Sequence, residues 1–233
     1  MCTVTIVPKG NSDFVLTSNR DEAPDRLSIS PEYYNIKGVK MLFPKDVQSG
    51  GTWIGVSENK RMLCVLNGGF TSHIPKVLYR KSRGVVATDF MAFKNIKDDV
   101  KAYNFYNIAP FTMIIADWNL NLCFFELVWD GTKAHFKTLT KAAHIWSSST
   151  LYSARMKEER FRWFTAFKSE HKLEKETLLH FHKTAGSGNI DYGVIMNRDF
   201  VKTTSITQVE KNEEVLKMHY ENLQNNTVSN KQF

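Results

Sequence analysis

Asn19-Arg20-Asp21-Glu22 closes the second of two short apolar runs near the start of the sequence. Residues 3–7 and residues 14–18 are rich in β-branched and apolar side chains, which is typical of strands, and Pro8-Lys9-Gly10-Asn11 between them has the composition of a turn. An antiparallel hairpin returns the end of its second strand to the start of its first. The spacing therefore predicts that residues 19–22 lie beside Cys2.

Cys2 follows Met1, so removal of Met1 would leave a thiol and a free α-amine on one residue. A thiolate is a nucleophile, and an α-amine with a reference pKa of about 7.7–8.0 takes and returns a proton near neutral pH. In this interpretation Arg20 favours the thiolate and Asp21 orients the ammonium group. The alternative, which these residues alone leave open, is that Cys2 is only a small side chain and that residues 19–22 form a solvated turn.

Four further blocks follow Met-Cys-Thr in a fixed order, and together they resemble a known family. The blocks are Asn-Arg-Asp-Glu at 19–22, Gly-Gly-Thr-Trp-Ile-Gly-Val at 50–56, Leu-Asn-Gly-Gly at 66–69 and Arg-Lys-Ser-Arg-Gly at 80–84. This set resembles the NRDE family, also called the transport and Golgi organisation family. The resemblance is clear over residues 1–90 and weak afterwards.

The resemblance implies a fold and a chemistry. The NRDE family looks related to the N-terminal-nucleophile hydrolases of the choloylglycine and penicillin V acylase type, which are α+β proteins with a four-layer αββα sandwich. In those relatives a processed cysteine attacks a non-peptide amide carbonyl. The resemblance therefore supports Cys2, Arg20 and Asp21 as catalytic residues of this chain.

Asn67 is the fourth predicted catalytic residue. The tetrahedral intermediate of amide hydrolysis needs donors for its oxyanion, and Asn67 stands at the end of a predicted strand, before Gly68-Gly69. The acylase relatives have an asparagine with this role at the end of a corresponding strand. The alternative is that Asn67-Gly68 is simply a turn.

The predicted substrate-binding residues come from the same blocks and from one later stretch. They are Asn19, Glu22, Trp53, Gly68 and Ser148. Where the family has Leu-Ser-Asn-Ser before its second large helix, this chain has Trp-Ser-Ser-Ser at 146–149, so Ser148 replaces an asparagine. A hydroxyl still donates one hydrogen bond but has a shorter reach, so this departure weakens the case for full hydrolase activity.

The length of the chain predicts a single domain over residues 1–233, and the order of the predicted elements (strands, helix, strands, two helices, strands) predicts the α+β class. Hydrophobic content of 42% and charged content of 24% are ordinary for a globular protein. Three cysteines, an odd count in a long chain, argue against a disulfide framework and for a reducing compartment. With neither a secretory signal nor an apolar run of about 18 residues, we expect a cytoplasmic protein with no membrane span.

The net charge of +7 raises the question of nucleic acid, an anionic membrane or an acidic ligand. The basic residues form two clusters, at 76–83 and at 155–162, which we interpret as solvated helix faces. The sequence has no nucleic-acid-binding motif, so no nucleic acid partner is expected. No metal site is expected either, since His180 and His182 are two residues apart and fall on different faces of a helix.

Periodicity predicts the remaining elements. The predicted strands are 39–43 (ended by Pro44), 53–56, 62–66, 111–118, 122–129, 133–139, 201–209 and 215–220, and the predicted helices are 80–94, 150–170 and 174–184. From Asn225 onwards the sequence is polar, which predicts a frayed tail.

Two functions remain open at this point. The first is a cysteine amidohydrolase that cleaves a small amide or acyl conjugate through Cys2 after Met1 removal and needs no cofactor. The alternative is a non-catalytic carrier of haem or a lipid such as acyl-CoA on the same fold, with Cys2 as a ligand of the haem iron. The resemblance implies such handling and trafficking roles for some family members.

Overall fold

Within residues 3–233, which the computed structural model describes, the chain forms thirteen strands and four helices in two compact units. The elements are β1 Thr3–Lys9, β2 Asp13–Glu22, β3 Ser28–Ile36, β4 Val39–Asp46, β5 Ile54–Ser57, β6 Arg61–Asn67, α1 Arg83–Ala92, α2 Ile96–Ala102, β7 Phe111–Asp117, β8 Cys123–Trp129, β9 Ala134–Leu139, β10 His144–Ser147, α3 Ala154–Glu170, α4 Lys175–Thr184, β11 Lys202–Asn212, β12 Val215–Asn222 and β13 Thr227–Gln232. The terminal unit contains the chain up to Arg26 and from Ala142 onwards, and the central unit is Leu27–Lys141. The predicted α+β class is confirmed, whereas the single domain stays a prediction.

The terminal unit has a six-stranded antiparallel sheet in the order β10-β1-β2-β11-β12-β13. Its first two strands pair as the predicted hairpin, from Thr3 opposite Asn19 to Lys9 opposite Asp13. Helices α3 and α4 contribute Phe164 and Phe181 to a buried cluster with Val7 of the hairpin. Alternation along β1 therefore directs one set of side chains towards these helices.

The central unit has a seven-stranded antiparallel sheet in chain order from β3 to β9, with α1 against β5 and β6. Ser82 caps α1 by accepting a hydrogen bond from the Val85 N–H. The loop before β5 approaches this helix closely, because the Thr52 N–H donates to the Gly84 carbonyl at 3.2 Å. Two of the sequence blocks, at 50–56 and 80–84, are thus in contact.

The structure corrects three predictions about strands and helices. Strand β4 continues past Pro44 to Asp46. A bulge in β3 between Ile29 and Glu32 lies opposite Pro44, so the N–H that proline lacks is not needed for the pairing of the two strands. The tail is not frayed, since Thr227–Gln232 pairs with β12. Strands β3 and β10 and helix α2 were not predicted.

The basic clusters are not two solvated helix faces. Residues 76–81 precede α1, which begins at Arg83. Arg160 of α3 is fully buried, whereas Arg155 and Arg162 of the same helix are exposed. No helix in the described part of the chain is long and apolar enough to cross a membrane.

Candidate functional site

Thr3, the first described residue, lies in the interior of the terminal unit's sheet. It pairs with Asn19 of β2 on one side and with Ser147 of β10 on the other, and its side chain is fully buried. Cys2 lies outside the described residues, so its predicted role as nucleophile is not tested by the structure. In this register Arg20 follows Asn19 and Ser148 follows Ser147, so both residues lie at the end of the sheet where β1 begins.

Arg160 reaches Thr3 from helix α3. Its guanidinium donates to the Thr3 hydroxyl and, at 3.5 Å, to the Ser147 hydroxyl. It also donates to the backbone carbonyls of Tyr192 at 2.9 Å and Gly193 at 2.7 Å. One buried guanidinium therefore ties the start of β1 to β10 and to the segment after α4.

Asp21 is held by two hydroxyl groups. Its side chain is 1% exposed, and its two carboxylate oxygens accept hydrogen bonds of 2.6 Å from Tyr152 and Thr203. The Tyr152 ring is in turn packed against guanidinium groups, with the Cζ atoms of Arg160 and Arg198 at 3.7 and 5.2 Å from its centre. Asp21 thus has a fixed carboxylate at the end of β2.

Arg20 is held by a threonine hydroxyl and a backbone carbonyl. It is 1% exposed, and its guanidinium donates to the Thr204 hydroxyl at 3.1 Å and to the Arg26 carbonyl at 3.2 Å. Thr204 lies at a bulge in β11, where the pairing with β2 shifts between Thr203 and Ser205. Successive side chains of a strand point to opposite faces, which agrees with the different partners in these hydrogen bonds of Arg20 and Asp21.

Asn19 anchors helix α4 and the segment that follows it. Its amide group donates to the carbonyls of His182 at 2.9 Å and Val194 at 2.8 Å, and its carbonyl oxygen accepts from the His182 ring. The other ring nitrogen of His182 must then accept, and it does so from the Thr5 hydroxyl at 2.8 Å. These bonds use both amide hydrogens of Asn19, so its side chain has a structural role in this unit.

Glu22 and Ser148 complete the predicted residues of the terminal unit. The Glu22 carboxylate accepts from the Ala23 N–H at 3.2 Å and lies 3.6 Å from the Arg26 guanidinium. Ser148 is 1% exposed, with its hydroxyl 3.0 Å from that of Thr150. The structure therefore gathers Asn19, Arg20, Asp21, Glu22 and Ser148 into one unit.

Trp53, Asn67 and Gly68 belong to the central unit. Trp53 is 2% exposed, and Asn67 is a half-buried residue that ends β6 opposite Phe111. Gly68 has a φ of +87°, which glycine adopts without strain, and its N–H donates to the Pro110 carbonyl at 3.0 Å. The strand end that the sequence predicted for Asn67 is present, and the roles of these three residues stay predictions.

The sequence reasoning missed the residues that hold the site together, which are Arg160, Tyr152 and Thr203. Arg160 was assigned to a solvated face, although it is four and seven residues before Phe164 and Phe167, which pack in the core. That spacing is a helical repeat and would have placed Arg160 on the buried face. The described residues contain no group of three or more metal-ligating side chains.

The chain matches one family model and no curated protein. The model describes Transport and Golgi organisation 2 and matches residues 1–228. None of the curated proteins matches the chain in sequence. The family match extends the similarity from the blocks at 1–90 to almost the whole chain.

Solved structures of amide hydrolases have a similar fold. A conjugated bile acid hydrolase from Clostridium perfringens, solved as its C2A mutant, has a TM-score of 0.64 at 9% identity, covering 100% of this chain and 92% of that chain. An N-acylethanolamine-hydrolyzing acid amidase ortholog from Caenorhabditis elegans gives 0.59 at 10% identity, covering 89% and 92%. Penicillin V acylase from Agrobacterium tumefaciens gives 0.58 at 10% identity, covering 97% and 84%. These matches confirm the predicted α+β sandwich fold of the N-terminal-nucleophile hydrolases, and at such identities they show the fold alone.

Proposed function

Since the chain belongs to the Transport and Golgi organisation 2 family, we propose that it is an N-terminal-nucleophile amidohydrolase that cleaves a small amide or acyl conjugate through Cys2. The observation that carries this proposal is the position of Thr3. It is fixed between Asn19 and Ser147, beside the end of β2 that bears Arg20 and Asp21. The structural neighbours that hydrolyse conjugated bile acids and N-acylethanolamines support this class of substrate.

The proposed chemistry begins with removal of Met1, which frees the α-amine of Cys2. The Cys2 thiol transfers its proton to that amine, and the thiolate attacks the substrate carbonyl carbon to give a tetrahedral oxyanion. The C–N bond then breaks, the ammonium returns the proton to the leaving amine, and water hydrolyses the resulting thioester. Asn67 is the proposed donor to the oxyanion, and Ser148 contacts the substrate.

The supporting groups keep this arrangement rigid. Consecutive Cα atoms are about 3.8 Å apart, so fixing Thr3 restricts where Cys2 can lie. Arg160 holds the Thr3 hydroxyl, and Tyr152 and Thr203 hold the Asp21 carboxylate. Arg20 supplies a positive charge that favours a thiolate nearby, and Asp21 supplies a negative charge for an ammonium.

Replacement of the proposed nucleophile tests the proposal. In a screen of small amides and N-acyl conjugates, Cys2→Ser should lower kcat by at least about 1,000-fold. Cys123→Ser is the matched control, because Cys123 is a partly exposed thiol in the central unit, and it should keep wild-type turnover. Asn67→Ala should lower kcat by about 100-fold or more if it donates to the oxyanion. Equal turnover by wild type and Cys2→Ser, or intact masses showing Met1 retained in active protein, would contradict the mechanism.

The carrier alternative stays a prediction, and one variant separates it from the enzyme. Insertion of an alanine between Met1 and Cys2 keeps the thiol but moves the free α-amine to the new residue. Turnover by the amidohydrolase should fall as far as in Cys2→Ser. A carrier that binds haem through the Cys2 thiolate should keep its haem titration curve in the insertion variant and lose affinity only in Cys2→Ser. The cytoplasmic location also stays a prediction.

A further inference from the structure

The segment 70–83, between Gly69 and the first turn of α1, exposes several large apolar side chains. Phe70 is 56% exposed, Ile74 92%, Val77 106% and Leu78 79%. Such residues normally contribute to a core, and a cluster of them on a surface marks a site of interaction. We call residues 70–83 the basic apolar segment.

Backbone hydrogen bonds hold the chain on either side of the basic apolar segment and near its end, and the Phe70 ring packs edge-on against His135. Before it, the Gly68 N–H donates to the Pro110 carbonyl at 3.0 Å; near its end, the Arg80 N–H donates to the Asn107 carbonyl at 2.8 Å. Within the described chain, residues 70–79 make no backbone-to-backbone hydrogen bond. The Arg80 guanidinium also donates to the Tyr106 carbonyl at 3.1 Å, which brings a 77% exposed tyrosine beside the segment.

The segment is also positively charged. It contains Lys76, Arg80, Lys81 and Arg83, and no aspartate or glutamate occurs between residues 59 and 88. Lys81 is paired with the Asp89 carboxylate at 2.6 Å, so its charge is offset. The partners of the Arg80 guanidinium are carbonyl oxygens, and Lys76 is exposed, so these two residues give the surface its positive charge.

We propose that the basic apolar segment docks on the surface of a bilayer that contains anionic lipids. Ile74, Val77 and Leu78 enter the interface between headgroups and acyl chains, while Lys76 and Arg80 meet the lipid phosphates. A protein partner fits less well, because the cores of protein interfaces are depleted in lysine. The three aliphatic side chains also stand almost fully in solvent on an irregular segment. This docking does not depend on the proposed hydrolase activity.

Vesicle sedimentation with the full-length protein tests the proposal. Wild type should pellet with phosphatidylcholine vesicles containing about 30% phosphatidylserine, should pellet much less with pure phosphatidylcholine, and should be released by added salt. The triple variant Ile74→Ser, Val77→Ser, Leu78→Ser should bind at least about tenfold more weakly. Lys76→Gln should bind about fivefold more weakly. Leu120→Ser, which changes a 94% exposed leucine in the turn between β7 and β8, should bind like wild type.

Three results would overturn the proposal. The first is no sedimentation of wild type with the anionic vesicles. The second is equal sedimentation of wild type, the triple variant and Lys76→Gln. The third is a concentration-dependent self-association of wild type that the triple variant abolishes while vesicle binding persists, which would make this surface a contact between copies. The side chains changed in the triple variant and in Lys76→Gln are all exposed, so both variants should unfold at the wild-type temperature. If the triple variant does not fold, Lys76→Gln alone still tests the proposal.

Discussion

His182 is a fully buried histidine that the fold keeps neutral. Burial, with a smaller contribution from the positive charge of Arg160, lowers the pKa of His182 to about 3. The ring is held between the Asn19 carbonyl oxygen and the Thr5 hydroxyl, an arrangement that satisfies one protonated and one unprotonated nitrogen. His182 therefore couples the stability of the terminal unit to pH.

The sign of this coupling follows from where the proton binds. The pKa of histidine in the unfolded chain is about 6.5, so between pH 6.5 and 3 the unfolded state binds a proton that the folded state lacks. The contribution of His182 to the free energy of unfolding is therefore fully present above pH 6.5 and is lost as the pH falls, with a loss of about 2 kcal/mol at pH 5. Urea unfolding at pH 7 and pH 5 should show this loss in wild type and in His180→Gln, which changes an exposed histidine of the same helix. The loss should be smaller by about 2 kcal/mol in His182→Gln, and an unchanged loss in that variant would contradict the assignment.

At the candidate site, local pattern was enough for the residues carried by one hairpin. Two adjacent strands predicted that residues 19–22 return to the start of the chain, and β2 does end there. Tyr152, Arg160 and Thr203 reach Asp21 and Thr3 from more than 130 residues away in sequence. The helical repeat could have shown that Arg160 is buried, but no periodic signal specifies the partner of any of these three side chains, because the partners depend on how distant parts of the chain pack against the hairpin.

At the scale of elements, the contact between the loop before β5 and the start of α1 depends on Gly51. A Cβ atom at Gly51 would lie 2.2 Å from the Gly84 carbonyl carbon and 2.5 Å from the Val85 nitrogen, both backbone atoms. Backbone cannot move aside without shifting α1. The sequence block at 50–56 therefore needs glycine at this position for packing, independently of any catalytic role.

We expect Gly51→Ala to lower the free energy of unfolding by about 3 kcal/mol, the upper part of the range for overpacking. Gly50→Ala is the matched control. A Cβ atom added at Gly50 would meet no atom within 4 Å, and only the φ of +69° would be strained by the substitution. The control should cost about 1 kcal/mol, from backbone strain alone. Urea unfolding of both variants measures the difference, and equal losses would show that the close approach to Gly84 is not what constrains Gly51.

Two of the elements that the sequence failed to predict, β10 and β13, are short or polar. Strand β10 has four residues, all of them only half-buried, and β13 at the sheet edge has the polar sequence Thr-Val-Ser-Asn-Lys-Gln. Strand β10 is too short to show a period and β13 has no apolar face, so the pairing partner rather than the strand itself determines the structure. By contrast, β7 and β8 were predicted from nearly continuous apolar runs, and both are largely buried.

At the scale of the whole molecule, the path of the chain makes the terminal unit depend on both of its ends. In its sheet, β2 from the start of the chain pairs with β11, which begins at Lys202. The central unit, Leu27–Lys141, is a continuous stretch between them. Contacts of such large sequence separation leave no local signal, which is why the sandwich fold was predicted from the family resemblance and the order of strands in the sheet was not predicted at all.

The prediction of a single domain has a direct test in the cooperativity of unfolding. Gly51→Ala acts on the central unit, and His182→Gln acts on the terminal unit. If residues 1–233 unfold as one domain, each change should move one common transition, and far-UV circular dichroism and tryptophan fluorescence should give the same midpoint. Tryptophans report on both units, with Trp53, Trp118 and Trp129 in the central unit and Trp146 and Trp163 in the terminal one. Two transitions, of which Gly51→Ala moves one and His182→Gln moves the other, would show instead that the two units are separate domains.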